Sequence, residues 1–365
     1  MSRILLLIKG LGRGGAEQLL LSAAPHVDRD RFEYEVAYLL PWKNALVGSL
    51  EQAGMPVHCL DGARGLGWLT RLRALVRRRE IELVHSHSPV PAVGARLSVP
   101  RVRQVYTEHN VWGRYHRATY WANVLTFPRT DHVFAVSDQV RESIRYPRWL
   151  RGRRMPPVET VYHGLDPDAI PDRNGSDGIR RDLGIPDDAP IVGTVANFKA
   201  QKGHAQLLQA ALRVREAVPD VRFVLVGTGP LEDEMRRRGK EMGLNRNVVF
   251  AGFREDVPRV ADTFDVFCLP STYEGLSIAL IEAMSLGKPV VVTAVGGHPE
   301  VVTEAKDGFL VPPGDPSALA DRLITLLRDR ELRLRLGRRA KERAAAFDIR
   351  DAIRRIEAVY SEVLG

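Results

Sequence analysis

Tyr273-Glu274-Gly275-Leu276-Ser277-Ile278-Ala279-Leu280-Ile281-Glu282 turns the chain from strand into helix. The run ahead of it, Val266-Phe267-Cys268-Leu269-Pro270, is short and continuously apolar, as in a buried strand. Leu280, Ile281, Ala283 and Met284 then recur at helical spacing. The turn therefore falls at Gly275, Leu276 and Ser277. A helix start offers unpaired N–H groups and the positive end of its dipole, which together suit an anion. Glu274 sits just before the turn, and Glu282 lies about two turns into the helix at ~3.6 residues per turn. One carboxylate can face a polar ligand at the turn and the other a second part of the same ligand. Two solvated helix glutamates are the bland alternative. The strand ahead, the Gly-Leu-Ser turn and the strand-like Ser285–Thr293 text behind argue against it.

Outward from this stretch, strand and helix signals alternate. In the first half, Ile4–Ile8, Tyr34–Leu40, Val57–Leu60, Leu83–His87, Val102–Glu108 and Val133–Val136 read as strands. Leu69–Arg79 reads as an amphipathic helix with a basic face, and Val158–Tyr162 as a further strand. After an Asp-, Gly- and Pro-rich linker, 172–190, a second alternation begins with Ile191–Val195 and its helix Gly203–Val218. Leu319–Arg343 and Ile349–Val363 read as amphipathic helices. Such alternation predicts an α/β fold of parallel, doubly wound sheets, whose ligands bind beyond the carboxyl ends of the strands.

The chain's 365 residues suggest two domains, and 44% apolar residues suffice for two cores. No apolar run reaches the ~18 residues of a membrane span. The start, Met1–Lys9, reads as a first strand rather than a signal peptide. Cys59 and Cys268 fall in different halves inside strand-like text, which predicts core fillers in a reducing, cytoplasmic compartment rather than a disulfide.

Residues 1–170 carry 24 Lys and Arg against 16 Asp and Glu, and the remainder carries 29 of each. The whole net charge of +8 therefore sits in the first half. It suits an anionic partner, whether a membrane surface, a phosphorylated lipid or a nucleic acid; a solvated Arg-rich surface is the alternative. Two stretches there mix basic and aromatic residues. One holds Trp112, Tyr115, His116, Arg117, Tyr120, Trp121 and Phe127. The other holds Arg145, Arg148, Trp149, Arg151, Arg153 and Arg154. An interfacial helix on an anionic membrane would read this way, as would a nucleic-acid contact or an ordinary cleft-covering helix and exposed loop.

The Glu-x7-Glu pair in its surroundings resembles the donor-sugar motif of the retaining GT-B glycosyltransferases of family 4. The resemblance spans nearly the whole chain. It is strongest from Gly193 to Asp315 and looser before residue 160. It implies two Rossmann-like domains facing across a cleft. Residues 1–170 would form the acceptor side, 171–348 would bind the nucleotide sugar, and the helix 349–365 would cross back to the first domain. The implied activity is transfer of a hexose-type sugar from a UDP- or GDP-sugar, and the basic first half motivates a lipid-linked or polysaccharide acceptor. It implies no cofactor, no metal and no nucleic-acid partner, and the enzyme would work at the inner face of a membrane.

The resemblance also assigns residues. Glu282 would hold ribose hydroxyls and Glu274 hydroxyls of the transferred sugar. The Gly275–Ser277 amides and Lys202 would meet the diphosphate. Lys202 matches the lysine of the family's G-R-L-x-x-x-K-G text, but Asn197 stands where that text has its arginine, so Lys199 is a candidate for the missing charge. Gly229, Phe253 and Arg254 lie in segments that line the nucleotide. Gly15, in the loop Gly10–Gly15, would lie near the diphosphate. That loop alone is a weak signal, since a tight strand-to-helix turn reads the same way, and it lacks the complete dinucleotide fingerprint of an NAD enzyme. His109, at a strand's carboxyl end, matches a family histidine that reaches the transferred sugar. His85 and His87 read as strand end and loop rather than a metal pair, because no third ligand follows at suitable spacing. Asp166-Pro167-Asp168 is formally the D-x-D of the GT-A fold, but nothing around it is GT-A-like. Retention of anomeric configuration is implied by the family. The alternatives are the same fold with a soluble small-molecule or protein acceptor, and a nucleotide-binding protein without transfer activity.

Overall fold

The computed structural model describes residues 1–150, 154–169 and 178–365. Arg151 and Arg153 of the second basic stretch, and 172–177 of the linker, lie outside the described residues. The chain divides into two compact units, Met1–Gly164 with Ile349–Gly365, and Leu165–Asp348. The division falls at Gly164 rather than after residue 170. Leu165 N–H donates to the Phe347 carbonyl (2.9 Å) and bridges to Asp348, which places Leu165 in the second unit.

The first unit holds seven strands: β1 (Ser2–Ile8), β2 (Phe32–Tyr38), β3 (Val57–Cys59), β4 (Leu83–His87), β5 (Arg103–Glu108), β6 (His132–Ala135) and β7 (Val158–Thr160). All pair in parallel in the order β3-β2-β1-β4-β5-β6-β7. The central strands β1 and β4 are buried along nearly their whole length, as in a sheet with both faces covered, although β4 ends on the polar His85-Ser86-His87. In the helix Ile349–Leu364, Ala352, Val359 and Tyr360 fall on one stripe and pack with Ile4, Leu6, Tyr34 and Val36 of β1 and β2.

Six strands build the second unit: β8 (Ile191–Val195), β9 (Arg222–Val226), β10 (Val248–Gly252), β11 (Val266–Leu269), β12 (Val290–Thr293) and β13 (Gly308–Val311). They are parallel in the order β10-β9-β8-β11-β12-β13. Each sheet reverses its strand order once, between β1 and β4 and between β8 and β11. Open parallel sheets bind ligands beyond the strand ends at such a reversal. The decisive stretch is the loop and helix that follow β11.

Three expectations need correction. Cys59 is exposed, because β3 is the edge strand of its sheet; only Cys268 fills a core. Leu319–Arg343 is not one helix but two, Pro316–Arg328 and Arg330–Ala344. Asp329 breaks it, since its side chain accepts from Leu332 N–H (2.9 Å) and caps the second helix. In the first aromatic-basic stretch Trp112 and Phe127 are wholly buried and pack on Tyr106, Val124 and Val133. They are core, not an interfacial face. Among the described residues no helix is long and apolar enough to cross a membrane.

Candidate active site

The loops after β8 and β11 meet at the reversal of the second sheet. Two bonds from β11's loop to the other fix them: Thr272 N–H donates to the Gln201 carbonyl (2.7 Å), and Thr272 Oγ1 does so at 3.3 Å. The approach is close. Gly203 adopts φ 70°, and a Cβ there would stand 1.9 Å from the Pro270 carbonyl oxygen. Only glycine meets both demands. The loop after β12 closes on the same point, with Gly297 N–H donating to the Gly275 carbonyl (2.6 Å).

At this junction Lys202 Nζ lies 2.6 Å from Glu274 Oε1. Ser271 Oγ donates to the same oxygen at 2.6 Å. The Glu274 side chain is 7% exposed and that of Lys202 18%, so the pair is poorly screened. Oε2 of Glu274 makes no hydrogen bond among the described residues and remains an acceptor. A lysine ammonium has three N–H donors, so one bond to Glu274 leaves two for an anion. Lys202 and Glu274, assigned to different parts of a donor, thus hold each other here.

Ser277 caps the helix Ile278–Ser285 without a side-chain hydrogen bond to its first turn. The orphan N–H groups that follow Gly275 and Leu276 can therefore serve a ligand. The carboxylate of Glu282, half-buried on this helix, has no hydrogen bond or ion pair among the described residues, and burial raises its pKa. A desolvated carboxylate without a partner is costly unless a ligand supplies donors. Asn197 is half-buried and Lys199 exposed, neither with a side-chain partner among the described residues. Gly229 follows β9, where a Cβ would stand 2.6 Å from the Phe198 carbonyl oxygen. Phe253 is 44% exposed just past β10. The Arg254 guanidinium is already engaged by Asp256 (2.7 and 2.6 Å), which raises the arginine's pKa and lowers the acid's.

Sequence reading missed Ser271 and His298. Nδ1 of the wholly buried His298 donates to the Thr293 carbonyl (2.8 Å), and its Nε2 has no partner among the described residues. Burial lowers its pKa, with the Glu274 and Lys202 charges opposing one another. The available signal was the Gly296-Gly297-His298-Pro299 text after a strand, where two glycines let the backbone approach closely.

Gly15 and His109 belong to the other unit. Gly15 opens the helix Gly15–Ala23, where a Cβ would meet nothing within 4 Å. His109 follows β5 and its Nε2 lies 3.1 Å from His87 Nδ1. Around them His85 stacks on His87 (4.5 Å between centroids) and His163 on His109 (6.1 Å). Burial holds all four imidazoles below their ordinary pKa, that of His163 at about 4. Glu108 anchors the end of β5. Its buried carboxylate accepts from Tyr106 (2.6 Å), Trp112 Nε1 (2.8 Å), Asn110 N–H (3.1 Å) and Tyr115. Among the described residues no group of three His, Cys, Asp or Glu is placed to hold a metal ion.

Comparison with known proteins identifies the family and the fold. Residues 4–169 match the model of Glycosyltransferase Family 4, and residues 176–343 that of Glycosyl transferases group 1. The alpha-D-kanosaminyltransferase of Streptomyces kanamyceticus is 27% identical, over 96% of both chains. An Escherichia coli UDP-Gal:alpha-D-GlcNAc-diphosphoundecaprenol alpha-1,3-galactosyltransferase is 23% identical over 81% of this chain and 79% of its own. The crystal structure of Anabaena HepE in complex with UDP superposes with a TM-score of 0.84 at 25% identity, covering 99% of this chain and 100% of HepE. With both halves of the chain matched by models of one enzyme group, and with two doubly wound parallel sheets, this protein belongs to the group 1, family 4 glycosyltransferases of GT-B fold.

Proposed function

We propose that the protein is a retaining glycosyltransferase that moves a hexose-type sugar from a UDP-sugar to a lipid-linked acceptor at an anionic membrane surface. The observation that carries the donor site is the gathering of Lys202, Glu274 and the Gly275–Ser277 turn at the sheet reversal, with Glu282 unpaired on the helix beyond. The UDP bound by HepE favours uridine over guanosine as the donor's base. Family likeness supports retention and His109 as a contact to the transferred sugar.

The reaction follows from these groups. The bond from the anomeric carbon to the β-phosphate oxygen breaks, and its electron pair stays on the nucleoside diphosphate. Lys202 and the N–H groups of the turn neutralise that charge, and preorganised donors of this kind are worth about 2.7–4 kcal/mol each. The acceptor hydroxyl attacks on the face the phosphate is leaving, and its proton passes to the departing phosphate oxygen. Glu274 Oε2 and Glu282 accept from hydroxyls of the sugar and ribose. Thermal melts with UDP, GDP, ADP and their sugars, in EDTA, test the donor. A selective rise with UDP compounds is expected, and a product of inverted anomeric configuration would sink the retaining mechanism.

For the acceptor, the support is a surface stripe. Arg117, Trp121 and Leu125 recur every fourth residue on the helix Arg117–Thr126 and all are exposed, Trp121 by 41% and Leu125 by 54%. Arginine beside tryptophan and leucine suits the headgroup boundary of an anionic bilayer. Flotation with phosphatidylglycerol vesicles should show salt-sensitive binding that Trp121→Ser with Leu125→Ser reduces about tenfold or more, by area removed from apolar contact. Equal binding to neutral vesicles would remove the anionic surface from the reading, and no binding to either would point to a soluble acceptor instead.

A further inference from the structure

We propose that His87 is a positioning residue for His109: its Nδ1–H donates to His109 Nε2, so that His109 carries its proton on Nδ1 and presents that N–H to a ligand hydroxyl. The proposal rests on the reading of His109 as a ligand contact. It concerns only the first unit.

His87 is well placed to hold another ring still. It ends β4, whose ladder pairs it with Ile8 of β1 on one side and Thr107 of β5 on the other. Its side chain is 5% exposed. His85 stacks against it, and is itself held by Tyr360 and by Thr107 Oγ1 (2.7 Å). His109 lacks such support: it lies one residue beyond β5, half-buried, and the bond to His87 is its only side-chain hydrogen bond among the described residues. Without that bond the ring could rotate and exchange tautomers.

The direction of the bond follows from what His87 leaves behind. Burial keeps both rings neutral, so each has one N–H and one lone pair. Nε2 of His87 is buried without a partner. His87 lines a cavity of about 60 Å³ whose wall joins apolar side chains such as Leu6, Leu20 and Ile353 to the polar Tyr34, His163 and Glu357. If His109 donated, His87 would bury an unpaired N–H there. If His87 donates, it buries only an unused lone pair, and orphaned N–H groups are the rarer of the two in proteins. The second arrangement leaves Nδ1–H of His109 as the outward group.

The test uses the full chain labelled with 15N-histidine, with His109→Phe to assign the ring. Long-range proton–nitrogen spectra should show His109 as the Nδ1–H tautomer alone. In His87→Phe, which keeps an aromatic ring, His109 should become a mixture of tautomers. Gln can donate from its amide, so His87→Gln should restore the single tautomer. Transfer assays should show kcat lowered about tenfold in His87→Phe, the worth of one hydrogen bond, with donor KM within about twofold and recovery in His87→Gln. An Nε2–H tautomer in the wild type, or identical His109 spectra in wild type and His87→Phe, would overturn the proposal. A wild type that transfers no sugar, but whose His109 tautomer responds as described, would count against the transferase reading alone.

Discussion

Glu282→Gln is expected to stabilise the ligand-free protein while weakening UDP binding roughly 10- to 100-fold, the worth of a hydrogen bond to a charged group. Both effects have one cause. The Glu282 carboxylate is desolvated on its helix with no partner among the described residues, and its pKa is raised. The folded state therefore holds this proton more tightly than the unfolded chain does. The cost of ionising Glu282 is absent below the ordinary carboxylate pKa of about 4.3. It grows as pH rises through that value towards the raised folded one, and is constant above both. Glutamine has no charge to desolvate, so its advantage should be small at pH 5 and larger at pH 8. Thermal melts across that range, with and without UDP, read both quantities. A variant less stable than wild type at pH 8 that binds UDP normally would show that Glu282 has a structural role instead. On the proposed donor site, the same desolvation that destabilises the empty site would strengthen bonds to ribose hydroxyls in the filled one.

Lys202→Met should be damaging in two separable ways. It leaves Glu274 buried with only Ser271 as partner, and breaking one side of a buried pair costs about 3 kcal/mol. It also removes a cation from the leaving group, which should lower kcat by about 10²–10³. The double variant Lys202→Met with Glu274→Gln has no buried charge to strand. Denaturant unfolding should show most of the stability regained, whereas the transfer rate should stay low. Should the double variant prove no more stable than Lys202→Met alone, Glu274 is not the group that the lysine neutralises. Recovery of rate with recovery of stability would mean that Lys202 acts only by holding the loops.

These outcomes turn on features of unequal legibility. The strand-turn-helix at Glu274–Glu282 could be read directly, because a buried strand and an amphipathic helix are local periodic patterns and Gly-Leu-Ser marks the change between them. Asp329 was equally local, and its capping role shows why one long amphipathic pattern can hide two helices. Trp112 and Phe127 were not legible as core. Aromatic residues among arginines have the same composition on a membrane face and in an interior, and only the position of Tyr106 and Glu108 on β5 decides between them.

The sequence by itself determined the fold class, the two alternating halves and the residue types available for chemistry, since these depend on periods of two and 3.6 and on turn chemistry within a few residues. Which of those residues meet was decided by the tertiary structure. Lys202 and Glu274 are 72 positions apart and become partners because β8 lies beside β11. His87 and His109 meet because β4 pairs with β5 in one register. The tertiary structure also decided that the Glu282 carboxylate is desolvated without a partner among the described residues. Burial, charge pairing and pKa arise from strand order and close loop approach, and no local pattern carries that information.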